Sequence, residues 1–189
     1  MPGESDSVLI ARAKEEPEAF GLLYERYVDR IYNYVYYRVG NHQDAEDLTA
    51  RTFYRALKHI ARYQDRGAPF EAYLYRIAHN LVANWYRDNE RRQFSSYDQV
   101  TVSAPERDEP AAVAEMKDER ETMLQAIRRL PPERQQLIVL KFVEKMSNAD
   151  IAQVMERTEG AIKSLYYRTL AELRGELVRE HVVGRTDDE

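Results

Sequence analysis

SNADIAQVMERTEGAIKSLYYRTLAELR, residues 147–174, is the stretch whose reading decides the fold. It reads as two helices with a tight break near Glu156-Arg157-Thr158. The first carries Ile151, Ala152, Val154 and Met155. The second places Ile162, Tyr166, Thr169 and Leu173 at i, i+4, i+7 and i+11, one helical face. Lys163, Ser164, Tyr167 and Arg168 turn outward. Ser147 is set to cap the first helix with Asp150 three residues on, close to a capping box with Asp where Glu or Gln is usual. A short helix, a turn and a second helix with a basic, hydrogen-bonding outer face has the form of a helix-turn-helix DNA reader. An ordinary helical hairpin with a solvated basic face fits the same residues, and this stretch alone leaves both open.

Composition narrows the field. At 189 residues and 43% hydrophobic content, the chain suits one or two small packed domains. Seven glycines and seven prolines, mostly between periodic segments, favour an all-α fold. Cysteine is absent, which excludes disulfides and thiolate metal sites, and the four histidines show no metal-ligand spacing. No cofactor is expected. No stretch reaches the apolar length of a membrane span, and MPGESDS lacks the order of a signal peptide, so a cytoplasmic protein without membrane insertion is expected. The net charge of −5 does not argue against DNA, because a basic face suffices for phosphate contact.

Upstream of the organising stretch, the chain divides at its punctuation. Val8 to Lys14 reads as a short helix with Asp6 and Ser7 as caps, and Pro17 opens a second that ends at Gly40. The tyrosines of YVDRIYNYVYYRV read as core and rim. Asn41 to Ala61 forms the next helix, with Asp44, Glu46 and Asp47 in its first turns and Leu48, Phe53, Leu57 and Ile60 as a buried stripe. The helix dipole alone accounts for those acids. After a loop punctuated by Gly67 and Pro69, FEAYLYRIAHNLVANWYRDNERRQF runs as one helix from Phe70. Tyr75, Arg76, Asn80, Asn84, Trp85, Arg87, Arg91 and Arg92 interleave rings, amides and cations there. Such a set suits single-stranded nucleic acid, where bases stack on rings and arginines hold phosphates. An amphipathic helix with its only Trp in a core fits equally well. Ser95 to about Glu115, with two prolines and several acids, reads as a flexible linker. From Met116 a helix resumes, Pro131-Pro132 stops it and starts another, and the tail past Leu177 is expected to fray.

Taken together, DAEDLTARTFYRAL (44–57), FEAYLYRIAHNLVANWYRDNERR (70–92) and LPPERQQLIVLKFVEKMSNADIAQVMERTEGAIKSLYYRTLAELR (130–174) resemble the extracytoplasmic-function (group IV) sigma factors of the sigma-70 family. The likeness covers nearly everything from Phe20 to Leu177, and the three motifs in this order around a linker are highly specific. It implies a region 2-like bundle over 1–94, a linker over 95–115, a region 4-like helix-turn-helix domain over 116–178 and a charged tail over 179–189. Core RNA polymerase and promoter DNA are the implied partners, and an inhibitory anti-sigma factor is common in the family. Asp44, Glu46, Asp47, Leu48 and Phe53 match the segment that docks on the β′ clamp helices, with the β subunit a further neighbour. Residues 62–92 match the part that melts and captures the minus-ten non-template strand, with Asn80 and Asn84 facing exposed bases and the loop from Gln64 to Pro69 forming the pocket for a flipped base. Residues 159–168 match the minus-thirty-five recognition helix, which aims Lys163, Ser164, Tyr167 and Arg168 at the major groove. The linker matches the segment that threads into the polymerase channels.

Departures from the family pattern concern Lys145 and Glu156, where Gly is usual, Ala50, where Gln is usual, and Leu165 and Leu170, where basic residues are common. The two leucines remove expected phosphate contacts and are candidates to pack on a partner. A stand-alone regulator with a ligand-sensing N-terminal domain is the competing function; it needs neither the acidic segment nor the Asn/Trp/Arg helix. An enzyme is not expected, since the sequence holds no phosphate loop, nucleophile motif or metal cluster.

Overall fold

The computed structural model describes residues 4–64, 67–95 and 123–183. Every regular element among them is helical: α1 (Asp6–Glu15), α2 (Phe20–Val39), α3 (His42–His59), α4 (Phe70–Ser95), α5 (123–129), α6 (Pro132–Ile138), α7 (Asn148–Met155) and α8 (Glu159–Val183). The linker expected over 95–115 lies outside the described residues apart from Ser95, which closes α4.

α1 begins earlier than its sequence pattern suggests. Ser5 stands at the N-cap without a side-chain cap bond, and Asp6 lies inside the first turn. Asp6 instead accepts hydrogen bonds from Arg26 and the Tyr27 hydroxyl, tying α1 to α2. Pro17 starts a single 3₁₀ turn that leads into α2. α2 ends at Gly40, where φ is +84°, and a Cβ there would lie 2.4 Å from the Arg128 side chain. The left-handed backbone favours glycine there, and a Cβ would also displace the Arg128 guanidinium.

α2, α3 and α4 pack as a bundle around Leu23, Ile31, Val35, Leu48, Leu74 and Leu81, all buried. In the C-terminal half Pro132 opens α6, whose last turn widens into a π turn over Val139–Val143. That turn rotates Phe142 outward while Val139 and Leu140 stay buried. Ser147 and Asp150 form the expected capping box, with the Ser147 hydroxyl donating to the Asp150 carboxylate at 2.6 Å and accepting from the Asp150 amide at 3.1 Å. α7 ends at Glu156 in the left-handed conformation, φ +54°. α8 continues to Val183 rather than fraying past Leu177, with no glycine or proline between Leu177 and Val183.

The two halves touch, through α4 against α7 and α2 against the π turn. Glu144 sits at the centre of this contact, almost wholly buried, accepting from Arg30 at 3.1 Å and from the Tyr75 hydroxyl at 2.9 Å. Glu71 pairs with the same Arg30. Fully buried Arg38 donates to the Tyr34 hydroxyl at 2.6 Å, reaches the Pro132 carbonyl at 3.4 Å and lies 3.3 Å from His79. Tyr86 donates to the Arg38 carbonyl.

Candidate nucleic-acid and polymerase interface

Three surfaces carry the residues singled out in the sequence. The first is the exposed face of α3. The Asn41 side chain accepts from the Asp44 amide at 2.8 Å and donates to its carboxylate at 2.7 Å, which fixes Asp44 at the helix start. Glu46 and Asp47 project into solvent, Asp47 accepting from Arg51 at 3.4 Å. Leu48 and Phe53 do not share this surface: they are 1% and 4% exposed. Phe53 packs edge-on against Tyr24 and Phe20, so it is a core ring of the bundle and unavailable to a partner. The 3.6-residue period explains the split, with 45, 48, 49, 52, 53 and 56 inside and 44, 47, 51 and 55 outside.

The second surface lies along α4. Asn80, Arg87 and Arg91 are exposed, while Arg76, Asn84 and Trp85 are half-buried. Tyr75 is 0% exposed, and burial together with the adjacent Glu144 carboxylate keeps its hydroxyl protonated far above the usual range. It therefore offers no ring to a base; its position serves the contact between the halves. Trp85 leans edge-on against Tyr86 at 5.0 Å. Asn84 accepts from Arg87, and only Asn80 of the two amides lines the cleft beside it.

That cleft has a volume of about 850 Å³. Arg62, Tyr63 and Gln64 form one wall and Tyr73, Arg76 and Asn80 the other, with Gln153 and Glu156 of the C-terminal half closing one side. Asp65 and Arg66 of the adjoining loop lie outside the described residues. Neither Tyr75 nor Trp85 lines the cleft; the rings that do are Tyr63 and Tyr73, 5.0 Å apart. Sequence reasoning missed both, although Tyr73, Arg76, Ile77 and Asn80 follow i, i+3, i+4, i+7 and share one helical face. Arg76 forms an ion pair with Glu156 across the cleft.

The third surface is the first half of α8. Lys163, Ser164, Tyr167 and Arg168 are all exposed, Tyr167 at 71%. Thr158 caps the helix by accepting from the Ala161 amide at 3.2 Å. Lys163 pairs with Glu159 at 2.9 Å, and Arg168 donates to the Ser164 carbonyl at 3.3 Å. The inward face is Ile162, Leu165, Thr169 and Leu173. Leu165 is buried within its own domain, which removes it as a partner contact, while Tyr166 is half-buried against Phe142 rather than fully inside.

Among the described residues, no helix is long and apolar enough to cross a membrane. Family models of sigma-70 region 2 and sigma-70 region 4 match residues 23–92 and 120–173. The chain is 40% identical to the ECF RNA polymerase sigma factor BldN of Streptomyces coelicolor over 176 residues, 90% of this chain and 66% of that protein. Its fold resembles CnrH solved in complex with the cytosolic domain of CnrY (TM-score 0.67, 22% identity, 93% and 99% of the two chains). It also resembles the sigma factor RpoE of Bartonella quintana solved with the anti-sigma factor NepR (TM-score 0.61, 19% identity, 84% and 96%). With both region models in order on an all-helical chain, the protein belongs to the extracytoplasmic-function sigma factors of the sigma-70 family, the RNA polymerase subunits for promoter-specific transcription initiation.

Proposed function

We propose that the chain works in the cytoplasm without catalysis of its own, dividing the steps of initiation among its three surfaces. Asp44, Glu46 and Asp47 dock on the polymerase β′ clamp helices. α4 captures the unpaired minus-ten strand, and α8 reads the minus-thirty-five element through Lys163, Ser164, Tyr167 and Arg168. Those four side chains suit duplex DNA because cations and hydroxyls on an exposed helix reach phosphates and base edges in the major groove. An anti-sigma factor, such as the one that accompanies the similar RpoE, is a further partner in this reading.

The observation that carries the proposal is the cleft beside Asn80. A flipped base needs rings to stack on, a group that both donates and accepts, and cations for its backbone. Tyr63 and Tyr73, Asn80, and Arg62 with Arg76 supply these in one place. Because Gln153 and Glu156 close one side and Glu156 holds Arg76, the halves move apart before a strand enters.

Permanganate footprinting of open complexes tests this. Asn80→Ala is expected to leave polymerase binding intact and to impair opening on duplex DNA. A template with a built-in bubble, where unstacking costs nothing, is expected to restore activity in part. Normal opening of duplex DNA by Asn80→Ala would return Asn80 to a purely structural role.

A further inference from the structure

α1 lies outside the three surfaces, yet it grips the rings of the cleft from two ends. Its last turn carries Lys14, whose Nζ donates to the Tyr63 carbonyl at 2.9 Å, across 49 positions of sequence. Glu15, Glu16 and Glu18 stand close by in sequence, but Lys14 pairs with no carboxylate among the described residues. The first turn of α1 carries Asp6, which accepts from the Tyr27 hydroxyl. The rise of α1 between Asp6 and Lys14 is about 12 Å.

A chain of rings joins the two grips. Tyr27 meets Phe70 at 6.2 Å, and Phe70 meets Tyr63 at 5.4 Å and Tyr73 at 5.8 Å. Tyr63 and Tyr73 line the cleft, while Phe70 is buried and does not. The Tyr63 backbone is pinned on both sides: its amide donates to the Ile60 carbonyl at 3.0 Å, and its carbonyl accepts from Lys14. With φ and ψ held, the side-chain torsions of Tyr63 remain, and Phe70, edge-on at 84°, restricts those. α1 can act as a support because it is itself fixed. Leu9, Ile10 and Ala13 are buried, and the helix packs on α2 and on the 3₁₀ turn Ile60–Arg62 that leads into Tyr63.

We propose that Lys14 is a positioning residue for the cleft: through the Tyr63 carbonyl it sets the angle at which the Tyr63 ring meets an incoming base. This rests on the cleft being the pocket for a flipped base. Stacking on a ring tolerates every base, because every base has a π-face. Discrimination therefore needs the ring and the Asn80 amide held in one fixed relation, which is the work of supporting residues behind them. A lysine that instead reached a phosphate would act on all four bases alike.

Abortive initiation by holoenzyme containing the full chain tests the proposal. Premelted templates carry each of the four bases in turn at every minus-ten position of the non-template strand, and the ratio of best to worst base is measured at each. Tyr63→Ala is expected to flatten this ratio, and the position it flattens most is the one followed. There Lys14→Met, which keeps an unbranched aliphatic stem and removes the donor, is expected to shrink the ratio by about threefold, the order of one net hydrogen bond. In the Tyr63→Ala background it is expected to shrink the ratio no further. Lys14→Arg, which restores a donor, is expected to restore the ratio. If Lys14→Met slows all four templates in equal proportion, or keeps the parental ratio where Tyr63→Ala flattens it, the proposal is overturned and the cleft reading stands. A Tyr63→Ala variant that flattens the ratio at no position removes the cleft reading and the role of Lys14 with it.

Discussion

α4 and α8 are nearly equal in length, 26 and 25 residues, and each carries a proposed DNA-facing surface, yet they hold it in opposite ways. α8 packs on α6 and α7 along one side and leaves Lys163, Ser164, Tyr167 and Arg168 in open solvent. α4 packs on α2 and α3 along one side and on α7 along another, so its surface is a cleft between partners and Arg76 is already engaged by Glu156. One surface is ready as folded and the other is shared between the halves. A helix with one buried side shows its function on the face left over; a helix gripped from two sides does not.

The largest expected effect breaks the grip. Glu144→Ala takes a buried carboxylate from Arg30 and from the Tyr75 hydroxyl, and Arg30 keeps only Glu71. Removing one partner of a buried polar cluster costs more than the pair contributed, here about 2–3 kcal/mol after allowing for the partial exposure of Arg30. Urea unfolding of the full chain measures it. Glu156→Ala, at a surface pair, is expected to cost under about 1 kcal/mol. Equal, small losses in both would mean that Glu144 does not hold the halves together.

Next in size is the contrast between the surfaces themselves. Lys163→Ala and Arg168→Ala each remove a proposed groove contact worth about 1–3 kcal/mol, a loss of initiation of roughly fivefold to a hundredfold at a promoter that needs its upstream element. A premelted bubble is not expected to rescue them, since duplex recognition by α8 precedes melting, whereas it is expected to rescue Asn80→Ala. Transcription from paired duplex and bubble templates reads both. Equal rescue of all three variants would erase the division of labour.

The same difference explains what was legible in the sequence. On α8 the outward residues were read correctly because a single apolar stripe fixes the phase; the slip was to seat Tyr166 rather than Leu165 fully inside, one step around the helix. On α3 the period placed Asp44 and Asp47 outside, and the family likeness alone promoted Leu48 and Phe53, against their own position in the apolar stripe. On α4 the sequence points to Tyr75 and Trp85 as stacking rings, whereas the rings that line the cleft are Tyr63 and Tyr73. Tyr75 packs edge-on against Tyr34 of α2 at 5.0 Å and its hydroxyl donates to Glu144, a residue 69 positions away, a contact that no local period reports. The capping box at Ser147 and the stop at Gly40 depend on neighbours in sequence and were legible for that reason.

A smaller effect follows the grip through pH. His79, on α4, faces Arg38 from α2 and shares a cavity with Arg76, Glu133, Glu156 and Arg157. Burial first, and then the Arg38 charge, push its pKa down from 6.5 to about 4. Between those values the unfolded chain binds a proton that the folded chain refuses. Stability from this group is therefore complete above about pH 6.5 and is lost as pH falls toward 4, by at most about 2 kcal/mol once solvent screening is allowed for. Tm measured from pH 7 to pH 4 is expected to fall less steeply in His79→Gln. Parallel curves for the two proteins would place the acid sensitivity elsewhere.

The finest comparison uses two residues with the same backbone and different surroundings. Lys145 and Glu156 both adopt φ +54°, where a side chain is disfavoured and the family pattern has glycine. Relief of that conformation is offset in part by the greater freedom of glycine in the unfolded chain, so Lys145→Gly is expected to stabilise by about 0.5–1 kcal/mol. Glu156→Gly gains the same backbone relief and gives up the Arg76 pair, worth up to about 0.5 kcal/mol at an exposed site. Its net stabilisation is expected to fall short of that of Lys145→Gly by up to about 0.5 kcal/mol, while the freed Arg76 leaves the cleft more open and duplex opening faster. Urea midpoints of the two variants, with opening rates beside them, decide the matter. If Glu156→Gly stabilised as much as Lys145→Gly and opened DNA at the parental rate, the ion pair across the cleft would carry no weight, and α4 would be as open in solution as α8.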